Sequence, residues 1–278
     1  TAGSVRIPAA WTGQVGLKTT KGRWSTAGIV PLSTTLDTAG ILARTVDDLA
    51  YGFFALDGAP ADHAAALGGL PRRAPRGLRL GVATGIFRED CSPGVLEAVL
   101  EAARRLEAAG ARIEDRALPG VEEAKAIFDV GGPTAIELHR FITAEIPAWM
   151  DRLDPIVRDR LTTAGETRAG EYIRRRDALA RAHRAAMGGF EDLDVLLSPT
   201  VALTPPKVEA LGALDAYRQA NLLTLRNPGL VSFLGLCAVS LPCGQDAAGM
   251  PVGLQLVAPA GAEARVLAVA RAVEGVLR

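Results

Sequence analysis

The stretch Thr1-Ala2-Gly3-Ser4 runs into an apolar segment, Val5-Arg6-Ile7-Pro8-Ala9-Ala10, and this pairing has what a nucleophilic serine needs. Small side chains leave room for an acyl group above the Ser4 hydroxyl, and a tight turn leaves backbone N–H groups free to face a developing oxyanion. A Gly-Ser step is by itself also an ordinary loop leading into a helix. A serine hydroxyl further requires a base, and candidates are few: the lysines are Lys18, Lys21, Lys125 and Lys207, and the histidines His63, His139 and His183. The histidines fall in a loop or on predicted helices, without the strand-end placement of a Ser-His-Asp triad, and read as surface residues. Thr1 offers another arrangement, an N-terminal-threonine hydrolase whose own α-amine is the base.

The elements that must position these groups follow from periodicity. Val5 to Trp11 is predicted to leave the Ser4 turn as a short helix, its positive end toward the serine, and Val15 to Thr20 as a strand. Thr45 to Leu56 has an N-cap threonine, two aspartates in its first turn, and an apolar face of Val46, Leu49, Ala50, Phe53 and Phe54. Residues 58 to 77 read as an exposed connection. A strand over Leu78 to Ala83, a helix from Ser92 as N-cap with Pro93 at its first position to Gly110, and a strand over Ala111 to Ala117 give β-α-β order and a parallel pair. Residues 121 to 190 are predicted helical, with the Arg174-Arg175-Arg176 run on a solvated face. Asp194 to Leu197 is a buried strand, and Leu203 to Pro206 a loop. Two strands, Ala238 to Leu241 and Val252 to Val257, flank a hairpin-type turn at Gly244 to Gly249, and a helix closes the chain over Ala262 to Leu277. The fold class is therefore α/β, a mixed sheet covered by helices on both faces.

Composition narrows the function. The 278 residues are 49% hydrophobic, enough for a sizeable core. Thirty-one basic residues balance thirty-one acidic ones, so charge gives no argument for nucleic acid or anionic lipid as partner. Cys91, Cys237 and Cys243 have neither paired nor metal-type spacing, and read as core thiols in a reducing compartment. The longest apolar run, Leu230 to Leu241, falls short of the roughly 20 residues that a membrane span needs. A cytoplasmic protein is expected, with no metal and no cofactor, since there is no P-loop, zinc-type cluster or Gly-x-Gly-x-x-Gly after a strand.

Three blocks stand in a recognisable order. Ala2-Gly3-Ser4-Val5-Arg6-Ile7-Pro8-Ala9 comes first, then Val15-Gly16-Leu17-Lys18-Thr19-Thr20 with Leu36-Asp37-Thr38-Ala39-Gly40. Ser198-Pro199-Thr200, Phe233 to Gly244 and Gly249-Met250-Pro251-Val252-Gly253-Leu254-Gln255-Leu256 close the series. The series resembles the amidase signature family along the whole chain, with a divergent middle. The resemblance implies Ser4 as nucleophile, backbone N–H groups around Thr1, Ala2, Gly3 and Ser4 as oxyanion hole, and a small amide as partner that releases ammonia or an amine. It also implies a Ser-Ser-Lys catalytic set whose lysine and second serine lie upstream of the nucleophile. The chain then reads as a single domain over 1–278, the nucleophile-bearing C-terminal portion of a family member, with 121–190 as a cap-like region. On its own such a portion is expected to be inactive.

Lys18 occupies the position of a family lysine that is not the catalytic one. Arg6 is read as a support of the active-site turn through a buried ion pair with an acid such as Asp37, with contact to a substrate carboxylate as the alternative; Asp37 is read as a structural cap, and Gln255 as a hydrogen-bonding residue across the core. Cys237 stands where many relatives have proline, which points away from the glutamine-dependent tRNA amidotransferases. A component of such an amidotransferase, passing ammonia to a partner enzyme, is nevertheless one alternative. A catalytically incomplete remnant that serves as a binding or structural domain is another, and apolar surface left uncovered in it would favour a homodimer.

Overall fold

The computed structural model describes residues 1–58 and 74–278. Most of the predicted connection 58–77, and His63 within it, lies outside the described residues. In chain order the described elements begin with helix α1 (Arg6–Trp11), strands β1 (Val15–Lys18) and β2 (Gly40–Ala43) and helix α2 (Val46–Leu56). There follow β3 (Arg79–Ala83), α3 (Val95–Ala108), β4 (Arg112–Arg116), α4 (Val121–Asp129), α5 (Thr134–Glu145), α6 (Pro155–Gly165) and α7 (Ala169–Gly188). The last are β5 (Val195–Pro199), α8 (Leu214–Phe233), β6 (Cys237–Gln245), β7 (Pro251–Ala258) and α9 (Glu263–Leu277).

The strands form one sheet in the order β2-β1-β6-β7-β5-β3-β4. Its β5-β3-β4 side is parallel and the remainder antiparallel, so the expected β3-α3-β4 crossover and the β6–β7 hairpin are both present. The central strands are covered on two faces, which is why β5 and β7 read as nearly unbroken apolar runs instead of alternating ones. One core packs α2, α3 and α9 on one face through residues such as Phe53, Val99 and Val269. The other packs α4, α7 and α8 on the opposite face through Ile127, Ala182 and Leu230.

Several local expectations change. Thr45 caps α2 as expected, its hydroxyl accepting from the Asp48 N–H at 3.0 Å, but Ser92 does not cap α3. Gly94 takes that place with a φ of +89°, and the Glu97 carboxylate accepts from its N–H at 3.0 Å. A Cβ at position 94 would lie 2.4 Å from the Ala247 N, so only glycine fits both the φ and the contact. The Ser92 hydroxyl instead accepts from the Thr204 N–H. Strand β1 ends at Lys18, because the Thr19 carbonyl turns to accept from the Lys18 ammonium. His183 is half-buried and not a free surface residue: its Nδ1 lies 2.8 Å from the Leu234 carbonyl and joins α7 to the end of α8.

The 121–190 region is helical; α4 and α7 pack into the second core, and α5 adds a polar attachment to the body. Glu137 on α5, only 9% exposed, accepts hydrogen bonds from Ser33 Oγ (2.8 Å), Thr35 Oγ1 (2.6 Å), the Thr35 N–H (3.1 Å) and Tyr172 Oη (2.8 Å). Arg175 also departs from the solvated face expected of it. Only 13% of its side chain is exposed; it pairs with Glu171 and donates to the Val130 and Gly132 carbonyls. Burial alone would raise the Glu137 carboxyl pKa, but the bonds from Thr35, Tyr172 and Ser33 outweigh it and hold the group below its ordinary value.

A carboxyl lowered on folding adds stability above its unfolded pKa and loses it as pH falls through the folded one. Glu137→Gln is therefore expected to cost about 1–3 kcal/mol at neutral pH. Urea denaturation measured at pH 7 and again near pH 3 should find the difference from wild type large at the first and small at the second. An equal difference at both would show that shape, not charge, carries the contact.

Candidate active site

The first turn sits over the sheet, where β5, β7 and α8 converge. Gly3 is buried, Thr1 and Ala2 are half-buried, and Ser4 is exposed. Glycine is dictated at position 3: a Cβ there would stand 2.6 Å from Ile7 Cδ1 and 2.9 Å from Pro228 Cγ. The carbonyls on this turn are engaged, Gly3 O accepting from the Ile7 N–H at 2.8 Å and Ala2 O accepting from Arg6 Nη2 and Ser232 Oγ, each at 3.4 Å. The N–H groups of Ala2, Gly3 and Ser4 donate to nothing among the described residues. The Ser4 hydroxyl likewise has no partner among them. The turn thus presents free donors beside a free hydroxyl.

Arg6 leads back into α1, a six-residue helix that starts one residue later than expected. Its guanidinium is 1% exposed and is held by neutral oxygens. Nη1 donates to Gln255 Oε1, and Nη2 to the Pro228 carbonyl at 2.9 Å and Ser232 Oγ at 2.8 Å. Burial pushes the Arg6 pKa down to about 9. The expected ion pair with Asp37 is not formed. Asp37 caps its own turn, as its sequence position suggested, accepting from the Leu32 and Ser33 N–H groups at 2.8 Å each and from the Thr1 hydroxyl. The two residues buttress opposite sides of the Thr1–Ser4 turn, and charge neutralisation is not what links them.

Gln255, fully buried on β7, bonds across the core as its sequence position suggested, taking Arg6 on one side and donating to Ser198 Oγ at 3.1 Å on the other. Lys18 is buried beneath the turn, donating to the Thr19 and Leu236 carbonyls at 2.9 and 2.8 Å. Burial, aided by the nearby Arg6 charge, brings its pKa down to about 7. Lys18 and Ser4 border the same small cleft. Cys237 and Cys243 are buried core thiols pushed up to about 12 by desolvation, while Cys91 is half-buried. Among the described residues no group of three His, Cys, Asp or Glu is placed to hold a metal ion, and no helix is long and apolar enough to cross a membrane.

Above Ser4 opens a cavity of about 680 Å³. The turn forms its floor, the ends of α4 and α5 one wall through Phe128, Gly132 and Ala135, and α6 and α8 the rest. Sequence reasoning left α8 unassigned. Its Pro228 and Ser232 receive Arg6, and its Tyr217, Asn221 and Leu225 face the cavity. The outer half of this helix is solvated and the inner half, from Arg226 on, is buried all round, so no single apolar stripe runs along it.

The family model described as Amidase matches residues 1–267. The chain is 47% identical over 280 residues to a 2-amino-5-chloromuconic acid deaminase from Comamonas testosteroni, covering all of this chain and 59% of that protein. It is 29% identical to a glutamyl-tRNA(Gln) amidotransferase component from Halothermothrix orenii, covering all of this chain and 63% of the relative. The structure of a 6-aminohexanoate cyclic dimer hydrolase superposes with a TM-score of 0.80 at 26% identity, over 99% of this chain and 63% of that one. The chain thus spans about three-fifths of the length of these relatives, and across nearly all of its own length, from the Ser4 turn through the Gln255 strand, it belongs to the amidase family.

Proposed function

We propose that the protein is the nucleophile-bearing part of a hydrolase that cleaves the C–N bond of a small amide. The observation that carries this reading is Ser4: a hydroxyl without a partner among the described residues, on the floor of a cavity of about 680 Å³ and on a turn whose Ala2, Gly3 and Ser4 N–H groups have none among them either. Ser4 Oγ attacks the carbonyl carbon, its proton leaves to a base, and the carbonyl oxygen becomes an oxyanion that faces the turn N–H groups, with Thr1 completing the backbone rim. The C–N bond then breaks, ammonia or an amine departs with a proton, and water hydrolyses the acyl ester to regenerate the serine. A single preorganised oxyanion donor lowers such a barrier by about 3 kcal/mol.

Arg6 serves this chemistry by position. Its hold on the Ala2 carbonyl keeps that peptide turned so that the neighbouring N–H groups face the cavity. The resemblance routes the Ser4 proton through a second serine to a lysine, and neither residue is identified within this stretch. The deaminase relative supports release of ammonia as the shared outcome, and the amidotransferase relative supports a second reading in which that ammonia is handed to a partner. The second reading predicts glutaminase turnover that rises when a partner enzyme is added.

Two measurements test the main reading. A fluorophosphonate is expected to label Ser4 of the gene's full-length product, and Ser4→Ala is expected to lower amide turnover by at least ~1,000-fold, as loss of a nucleophile does; an adduct on another residue, or an active variant, would overturn the assignment. The purified 278-residue polypeptide is expected to show little turnover, because among the described residues no lysine, histidine or carboxylate contacts the Ser4 hydroxyl. Brisk turnover rising through an inflection near pH 7 would instead make the buried Lys18 amine the base.

A further inference from the structure

The cavity above Ser4 is apolar along most of its wall, yet three arginines border it. Arg175 is occupied by Glu171 and two backbone carbonyls. Arg218 lies 3.5 Å from Asp159, and Asp159 is the one acidic residue among those lining the cavity. Arg160 on α6 is different: it is exposed at the edge of the cavity, and among the described residues its guanidinium has neither an ion pair nor a hydrogen bond. Ile156, Arg160, Thr163 and Thr167 recur at helical spacing on the cavity side of α6 and the turn after it, and from α8 Tyr217, Asn221 and Leu225 do the same. The Asn221 amide and the Tyr217 hydroxyl have no partners among the described residues either. The wall made by α6 and α8 therefore gathers an unneutralised planar cation, an amide and a hydroxyl, while Phe128, Phe233 and Leu225 supply apolar surface between it and the Ser4 turn.

From this arrangement we infer that Arg160 is a specificity-determining residue that receives a carboxylate of the substrate, with Asn221 and Tyr217 as accessory donors. The substrate class is then an amide whose acyl portion carries a second, ionised carboxyl group across a short apolar spacer. The inference rests on the reading of Ser4 as nucleophile, which fixes the end of the cavity where the amide lies. A guanidinium is suited to the task because its planar fork matches a carboxylate in two parallel hydrogen bonds. A neutral amide of equal length would fill the same apolar surface but leave Arg160 without its counter-charge.

The test compares adipic acid monoamide with hexanamide on the gene's full-length product, as wild type, Arg160→Gln and Arg160→Lys, by calorimetric binding and by steady-state ammonia release. Wild type is expected to bind the acid amide about 10- to 100-fold more tightly, the range for a hydrogen bond to a charged group. Arg160→Gln should shrink that preference to within about threefold, mainly through KM with a lesser effect on kcat. Arg160→Lys should recover much of it, as a retained charge requires. Equal binding of the two amides by wild type, no measurable binding of the acid amide, or an undiminished preference in Arg160→Gln would each overturn the assignment. The two readings separate cleanly. Ammonia release from both amides without any preference would remove Arg160 and leave the hydrolase, whereas a charge-dependent preference in binding without ammonia release would keep the anchor and remove the hydrolase.

Discussion

The structure depends most on how a buried cation is accommodated beneath the Thr1–Ser4 turn. Taking a guanidinium out of water is costly unless its donors are met, and Arg6 meets that demand at its two terminal nitrogens without an acid, while its buried Nε has no partner among the described residues. Gln255 from β7, Pro228 and Ser232 from α8, and Ala2 from the turn itself converge on its two terminal nitrogens. Each of these oxygens is buried or half-buried; if the guanidinium were withdrawn, Gln255 Oε1 would lack a donor among the described residues and the Ala2 carbonyl would keep only Ser232 Oγ. The demand is mutual. It ties one strand, one helix and the Thr1–Ser4 turn into a single geometry, and Gln255 extends the tie to Ser198 on β5.

That geometry explains features of α8 that would otherwise look unfavourable. Proline inside a helix removes one intrahelical hydrogen bond and bends the chain, and Pro228 lies within α8. Here its ring packs over Gly3 while its carbonyl receives Arg6. Gly229 follows, and a Cβ there would approach the Phe128 ring to 3.2 Å and Ala2 to 4.0 Å. Helix propensity gives way at this point to close approach between α8, α4 and the turn. Asn227, buried beside them, donates to the Phe87 and Pro199 carbonyls at 3.2 and 3.0 Å and closes the gap to β5.

Legibility in the sequence divides along the same physical line. Features that depend on one short stretch could be read: the Gly3-Ser4 turn from its small residues, the Thr45 cap from its offset to Asp48, the β6–β7 hairpin from the turn residues between two apolar runs. The placement of Gln255 across the core also came through, because it stands alone as a polar residue inside a buried strand. Features that depend on two distant stretches could not. Arg6 and Asp37 have opposite charge and sit near one turn, so pairing them was reasonable, but only the fold shows that neutral oxygens from α8 reach Arg6 first. Ser92-Pro93 has the composition of a helix start, yet the chain is turned at Gly94 because α3 approaches the Asp246–Ala247 backbone too closely for a side chain. β2 is four residues long, on the sheet edge and partly exposed, and nothing in its composition separates it from a loop.

The two parts of the cavity are held by different sets of polar contacts, and that difference bears on how the site works. Its floor is fixed by buried contacts around Arg6, with strands on one side and the inner half of α8 on the other. Its upper wall, α5 to α7, adds to the apolar packing of α7 a set of side-chain hydrogen bonds, with Glu137 gathering Ser33, Thr35 and Tyr172 and with Arg175 holding the Val130 and Gly132 carbonyls. Changing a side chain such as Arg160, which points from that wall and engages nothing else among the described residues, leaves both sets of contacts in place. A change at Arg6 or Gln255 disturbs the turn itself. Side chains that line the upper wall are in this way separated from those that hold the Ser4 turn, and the separation follows from which oxygens and nitrogens are already committed within the fold.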